Sequence, residues 1–253
     1  MRKSATFAVL AAAVALGGLA APAAQADGYG DTEITSVVVN GTGKVAVGTS
    51  AAKTFTVKVT ASDDSGIKAA DLYLDGPSYG YLQPTQKVSC VASATDATTS
   101  TCTGTFTVDP DVDFIDNSPA GTWYVSAWVD ANDGDYFTTD KAGSFAMQRY
   151  SKLTVNASPE PVKKGRTITV TGALTRANWE TGAYAGYTNQ SVKLQFRKKS
   201  SDTYTTLKTV TTGSGGALKT TVTASEDGYF RWNFAGTSTT PAVKAGGDFV
   251  DVQ

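Results

Sequence analysis

The sequence predicts an all-β chain: two tandem antiparallel β-sandwiches behind a secretory signal peptide. Three observations carry that reading. Thr, Val, Ala, Gly and Ser dominate while Leu, Glu and Gln are scarce, which suits pleated, half-buried surfaces better than helices. Short runs of strict apolar–polar alternation recur along the chain. The net charge of −1 also hides a split. Residues 27–147 carry 16 Asp/Glu against 6 Lys, whereas residues 148–253 carry 14 Lys/Arg against 7 Asp/Glu. Such an imbalance bears on partners and solubility, and it argues for two separate units.

Residues 1–26 open with Arg2 and Lys3, continue as an unbroken Phe, Ala, Val, Leu and Gly run from Phe7 to Ala21, and close on Ala24-Gln25-Ala26. That order of charge, apolar run and small-x-small site is a secretory signal peptide, so a mature chain from Asp27 and a secreted, extracellular location are expected. Beyond it no apolar run approaches the roughly 20 residues of a membrane span, and no membrane insertion is expected. Cys90 and Cys102 are the only cysteines. In an exported protein they are expected to form a disulfide.

An acidic domain is expected over residues 27–148. Thr54 to Ala61 places Phe55, Val57, Val59 and Ala61 on one face and Thr54, Thr56, Lys58 and Thr60 on the other. Trp123 to Asp130 repeats the device with Trp123, Val125, Ala127 and Val129. Further strands are expected at Ile34–Asn40, Ala70–Asp75, Lys87–Ala92, Cys102–Val108 and Gly143–Arg149, a number that fits a sandwich. A basic domain is expected over residues 149–253. Its strands are Leu153–Ala157, Arg166–Leu174, Val192–Arg197, Tyr204–Val210, Leu218–Ala224, Tyr229–Phe234 and Asp248–Val252. The connection Arg149–Lys152 is short and lacks Gly and Pro, so the two units are expected to be closely coupled.

Val59 to Ile67 followed by Leu72-Tyr73-Leu74-Asp75-Gly76 resembles the strand–loop–strand of bacterial Ig-like domains, and Ala120 to Asp130 resembles their sixth strand. Val170–Gly172, Gln190–Arg197, Gly213–Gly216 and Asp227–Phe230 resemble a second Ig-like class, common in secreted proteins of high-GC Gram-positive bacteria. The resemblance implies two tandem Ig-like sandwiches and a role in adhesion, binding or spacing. It is nearly silent on function, because a fold does not specify a site.

The chain contains no His. That excludes Ser-His-Asp and Cys-His catalysis, His-ligated zinc and the usual neutral-pH general base. It has no nucleophile elbow, phosphate-binding glycine loop or zinc-type cysteine pair. A non-enzymatic protein requiring no cofactor is expected.

Calcium is the sharpest chemical candidate. Asp130-Ala131-Asn132-Asp133-Gly134-Asp135 packs four oxygen-bearing side chains into six residues, as a cation taking six to eight oxygens requires. In an Ig-type strand order the loop holding Asp63 and Asp64 lies at the same end, so Asp63, Asp64, Asp130, Asn132, Asp133 and Asp135 are the candidate ligands. Read more plainly, Asn-Asp-Gly is a good hairpin turn. A second acidic loop, Asp109, Asp111, Asp113 and Asp116, is expected at the opposite end as a solvated crossover.

In the basic half, Lys193, Arg197 and Arg231 are expected to point outward from neighbouring strands, with Lys199 extending the face, and to bind a polyanion such as a cell-wall polymer. The segment from Ala177 to Gln190 reads as a long loop whose Trp179, Tyr184 and Tyr187 either stack on a glycan or cover the end of the sandwich. Tyr79 and Tyr81 pose the same choice. The expected role is a secreted, non-enzymatic binding or cell-wall-associated module. The alternatives are a calcium-binding structural or adhesion protein, and a secreted inhibitor or accessory factor of an extracellular enzyme working through the Cys90–Cys102 region. Expected partners are a wall polymer, a glycan or another secreted protein, and the compartment and acidic half argue against nucleic acid. The opposite charges of the halves also allow head-to-tail association.

Overall fold

The computed structural model describes residues 26–253. The expected signal peptide, residues 1–26, lies outside the described residues apart from Ala26.

The N-terminal sandwich is built from β1 (Ala26–Tyr29), β2 (Glu33–Val39), β3 (Lys44–Val47), β4 (Lys53–Ser62), β5 (Ile67–Asp75), β6 (Tyr81–Leu82), β7 (Ser89–Ala92), β8 (Thr99–Val108), β9 (Gly121–Ala131) and β10 (Tyr136–Arg149). One sheet has the antiparallel order β2-β4-β8-β7. The other runs β1-β10-β9-β5-β6, with β3 parallel to β10. This is the Ig arrangement, with the first, second, fifth and fourth strands facing the third, sixth and seventh. The chain leaves the first sheet for the second between β2 and β3. There Asn40, Gly41 and Gly43 hold positive φ angles of 50°, 65° and 67°, which Asn and Gly adopt at little cost.

The alternation read in the sequence fills this core. Phe55, Val57, Val59 and Ala61 face Leu72, Leu74, Trp123, Val125, Phe145 and Met147 across the two sheets. Trp123 is fully buried and its indole Nε1 donates to Pro119 O at 2.7 Å, so the ring's polar atom is satisfied. Cys90 and Cys102 stand directly opposite each other on β7 and β8 and form the expected disulfide, with Cα atoms 3.9 Å apart. The bond staples an edge strand to its neighbour within one sheet.

The C-terminal sandwich comprises β11 (Ser151–Leu153), β12 (Asn156–Ser158), β13 (Thr167–Asn178), β14 (Ala183–Gly186), β15 (Ser191–Lys198), β16 (Thr205–Thr211), β17 (Ala217–Thr223), β18 (Gly228–Phe234), β19 (Val243–Lys244) and β20 (Asp248–Val250). β13 pairs with β11, β12, β14 and β17, and the facing sheet runs β16-β15-β18 with β19 and β20 on the far side of β18. Ile168, Val170, Leu174, Val192, Leu194, Leu218, Phe230, Trp232 and Phe234 form the core.

Two expectations about this half are corrected. The single strand Leu153–Ala157 is split into β11 and β12, because Thr154 interrupts the ladder: its hydroxyl accepts the Ala173 N–H at 2.9 Å. The loop from Ala177 to Gln190 is in part a hairpin, in which β13 runs four residues past Leu174 and pairs with β14 from Thr175↔Gly186 to Asn178↔Ala183.

That hairpin joins the two sandwiches. β10 ends at Arg149 and β11 starts at Ser151, leaving only Tyr150 between them. Tyr150 N–H donates to Val47 O, and its carbonyl accepts from Ala177 N–H, both at 2.8 Å. At the hairpin tip Trp179 enters the N-terminal core and is 4 % exposed. Its indole donates to Gly48 O at 2.9 Å, and its backbone N–H donates to Asn117 Oδ1 at 2.9 Å.

Candidate functional site

Three places carry groups with chemical potential. The first is the acidic end of the N-terminal sandwich, where the turns after β1, β4 and β9 come together. Carboxylate oxygens of Asp63, Asp133 and Asp135 lie within 4.8 Å of one another, and so do those of Asp31, Asp63 and Asp64. Asp63 is the hub, at 3 % exposure. Its Oδ2 accepts from Thr32 Oγ1 at 2.6 Å, and its Oδ1 accepts from Ser65 Oγ at 2.6 Å and Ser65 N–H at 2.9 Å. Burial alone would push its pKa up, but the hydrogen bonds from Ser65 and Thr32 outweigh it and hold the carboxyl below the usual range. Asp31 moves the other way, raised by desolvation, by its hydrogen bond with Asp63 and by the charges of Asp64 and Asp63.

Two of the candidate ligands stand apart from this convergence. Asp130 accepts from Trp128 Nε1 at 2.8 Å and belongs to neither group of three. The Asn132 amide donates to Ser65 O and Gly66 O at 2.9 and 3.0 Å, tying the two turns together. Asp31, absent from the candidates, takes part. No local spacing links residues 31 and 63; the register Glu33↔Ser62 brings them together. Five carboxylates at one end make a donor set of the hard-oxygen kind that calcium takes.

In the acidic stretch after β8, Asp109, Asp113 and Asp116 accept from the stretch's own backbone N–H groups. Asp109 caps the short helix α1 (Pro110–Asp113) by accepting from Asp111 N–H at 3.0 Å, and Asp116 accepts from Ser118 N–H at 2.8 Å. Tyr79 serves the same stretch, its hydroxyl accepting from the Ile115 and Asp116 amides. Tyr81 instead stacks on Tyr73 at the surface, with centroids 6.1 Å apart.

The second place is the outer face of the β15–β18 pair. The register Lys193↔Asn233, Gln195↔Arg231, Arg197↔Tyr229 sets Lys193, Arg197 and Arg231 on one face of adjoining strands. The Arg231 guanidinium lies 3.6 Å from the centroid of Tyr204, and Arg197 lies 3.9 Å from that of Tyr229. Gln195 Oε1 accepts from Arg231 Nε at 2.9 Å, and Ser201 O accepts from Arg197 Nη1 at 2.8 Å. Among the described residues none of these three cations has a carboxylate within ion-pair distance. Lys199 differs, because Asp227 lies 3.4 Å from its Nζ.

The third group, the aromatics Trp179, Tyr184 and Tyr187, does not form a platform. Trp179 is buried between the sandwiches, Lys152 Nζ lies 3.5 Å from the Tyr184 centroid, and Tyr187 packs edge-on against Phe234 beneath Arg176. The Trp179 ring faces are taken by protein, which leaves it no sugar to stack on.

No protein-family model and no curated protein matches the chain. Among solved structures, the chain is similar to the D00-D0 domain of intimin, at 15 % identity and TM-score 0.28, over 80 % of this chain and 94 % of that one. It is also similar to the Yersinia pseudotuberculosis adhesin InvE, at 13 % identity and TM-score 0.28, over 85 % and 58 % respectively. A Corynebacterium diphtheriae protein described as a putative membrane anchored protein matches at 12 % identity and TM-score 0.30, over 90 % and 53 %. At these scores the Ig-like assignment rests on the strand order described above.

Proposed function

We propose that this chain is a secreted, non-catalytic binding module from the surroundings of a high-GC Gram-positive cell, and that the outer face of β15 and β18 holds an anionic cell-wall polymer. The observation that carries the reading is the row of Lys193, Arg231 and Arg197, unpaired by any carboxylate among the described residues. Stacking on Tyr204 and Tyr229 orients the two guanidiniums, so less side-chain freedom is lost when they grip a phosphate edge. The test is co-sedimentation with purified walls and with a soluble glycerol phosphate polymer over a salt series. Binding that weakens steeply with salt and drops at least tenfold in the Lys193→Glu, Arg197→Glu, Arg231→Glu variant is expected. Equal binding by parent and variant overturns the assignment.

A second reading concerns calcium. The convergence of Asp31, Asp63, Asp64, Asp133 and Asp135 favours a cation that stabilises the end of the N-terminal sandwich. Thermal unfolding with calcium and then with excess chelator tests it. A rise in midpoint that disappears in Asp133→Asn supports the site. No rise reduces the cluster to turn chemistry.

A further inference from the structure

Two arginines meet at the joint between the sandwiches without a counter-charge. Arg149 closes β10 and is only 8 % exposed. Its Nε donates to Ala177 O and its backbone N–H donates to Thr239 O. Arg176, on β13, reaches the same turn from its side chain: Nη1 lies 3.1 Å from Thr240 Oγ1 and 3.4 Å from Thr239 Oγ1. The Arg176 guanidinium rests 3.7 Å from the centroid of Tyr187.

Among the described residues no carboxylate pairs with either guanidinium. Burial, and then the Arg176 charge, push Arg149 down to about 10, so it remains cationic at neutral pH. No hydrogen bond among the described residues takes up its Nη groups. They are also not sealed off, because Gln148 Oε1 is the only fully buried side-chain polar atom there without a partner. An arginine as buried as Arg149 normally has a carboxylate to offset its desolvation; Arg149 lacks one, and so does the half-buried Arg176 beside it.

Planar guanidinium edges beside the partly exposed Thr239 hydroxyl present N–H and O–H donors with no competing acid, while the fully buried Thr240 hydroxyl accepts from Arg176 and holds it in place. That is the chemistry of a phosphate or sulfate site, where each guanidinium can give parallel N–H···O bonds. We propose that the joint binds one tetrahedral oxyanion, a phosphate group by preference, between Arg149 and Arg176. The bound group bridges β10 of one sandwich and β13 of the other, so its binding also tightens their docking. The site uses none of the residues of the β15–β18 face, and the two assignments can fail separately.

The test is thermal unfolding of the purified protein in phosphate or sulfate against chloride at matched ionic strength, repeated with the glycerol phosphate polymer. At about tenfold excess over the Kd, a rise of roughly 3–6 °C is expected. It persists in the Lys193→Glu, Arg197→Glu, Arg231→Glu variant, is lost in Arg176→Gln, and is reduced in Arg149→Lys, which keeps the charge but not the planar donor pair. A response to free phosphate assigns the site to the ion, and a response to the polymer alone assigns it to a phosphodiester. A response unchanged by both joint variants, or none to any probe, overturns the proposal. The chloride midpoints show whether each variant folds, and Arg149→Lys decides the matter if Arg176→Gln does not.

Discussion

Trp179 of the C-terminal sandwich stacks on Phe114 of the N-terminal one, with ring centroids 4.3 Å apart and planes inclined by 28°. Phe114 in turn meets Trp123 edge-on at 6.4 Å, so the contact runs from the joint into the centre of the first core. Removing a buried indole leaves a cavity at that point. Trp179→Ala is expected to cost about 3–5 kcal/mol and to resolve the unfolding of the two sandwiches into separate transitions. Calorimetry and small-angle scattering check this. A variant that still unfolds in the parent's manner with unchanged dimensions would show that the backbone contacts of Tyr150 suffice.

The Cys90–Cys102 bond closes a loop across β7 and β8. Reduction, or replacement of both cysteines by Ser, is expected to lower stability by roughly 3 kcal/mol on the chain-entropy account. The loss belongs to the N-terminal transition, since no cysteine lies in the other half. Scanning calorimetry with and without reductant reads it directly.

Asp63 dictates an acid limb. Its folded pKa lies below the usual carboxylate value, so the stability it contributes is present above that value and fades as pH falls through it toward the folded pKa. Asp63→Asn is expected to destabilise at neutral pH by about 1.5–3 kcal/mol, the worth of hydrogen bonds to a charged acceptor. It should also decline less steeply than the parent between about pH 5 and pH 2. Denaturant midpoints across that range make the comparison, and parallel curves would deny Asp63 the role.

Glycine guards the second core tryptophan. A Cβ at Gly172 would meet the Thr154 carbonyl oxygen first, and would lie 2.7 Å from Trp232 Cδ1 and 2.8 Å from its Nε1, on the side where the indole donates to Thr171 O at 2.9 Å. Gly172→Ala is therefore expected to destabilise by about 1–3 kcal/mol through overpacking. Gly165→Ser is the control for mere loss of glycine in this half, because open space surrounds that position, although its φ of 81° adds a backbone cost of its own. A midpoint for Gly172→Ala equal to the parent's would mean that both the Thr154 backbone and the indole yield.

The sequence made the long, one-sided strands legible. β4 and β9 alternate without a break over eight residues, and a one-residue slip would turn Phe55 or Trp123 to solvent. The short strands β1, β3, β6 and β19 carry two to four residues each, too few for a period to be read. Their places are set by partners far along the chain. The outward row of Lys193, Arg197 and Arg231 followed from alternation alone. Trp179 did not, because an aromatic at a hairpin tip has the same local sequence whether it waits for a ligand or fills a neighbour's core. Gly48, Phe114 and Asn117 decide the matter, and each lies more than 60 residues away.

The order of synthesis gives the Trp179 contact another meaning. The first sandwich ends its last strand at Arg149, yet the ring that fills its lower end lies 30 residues further on. A chain emerging from its N-terminus completes all ten strands of that sandwich before the plug for its core exists. Until the β13–β14 hairpin has formed and docked, Phe114 has no partner ring across the joint. Maturation of the first half therefore waits on the second, and a chain truncated near the junction would be released with an open apolar end, marked for proteolysis or aggregation.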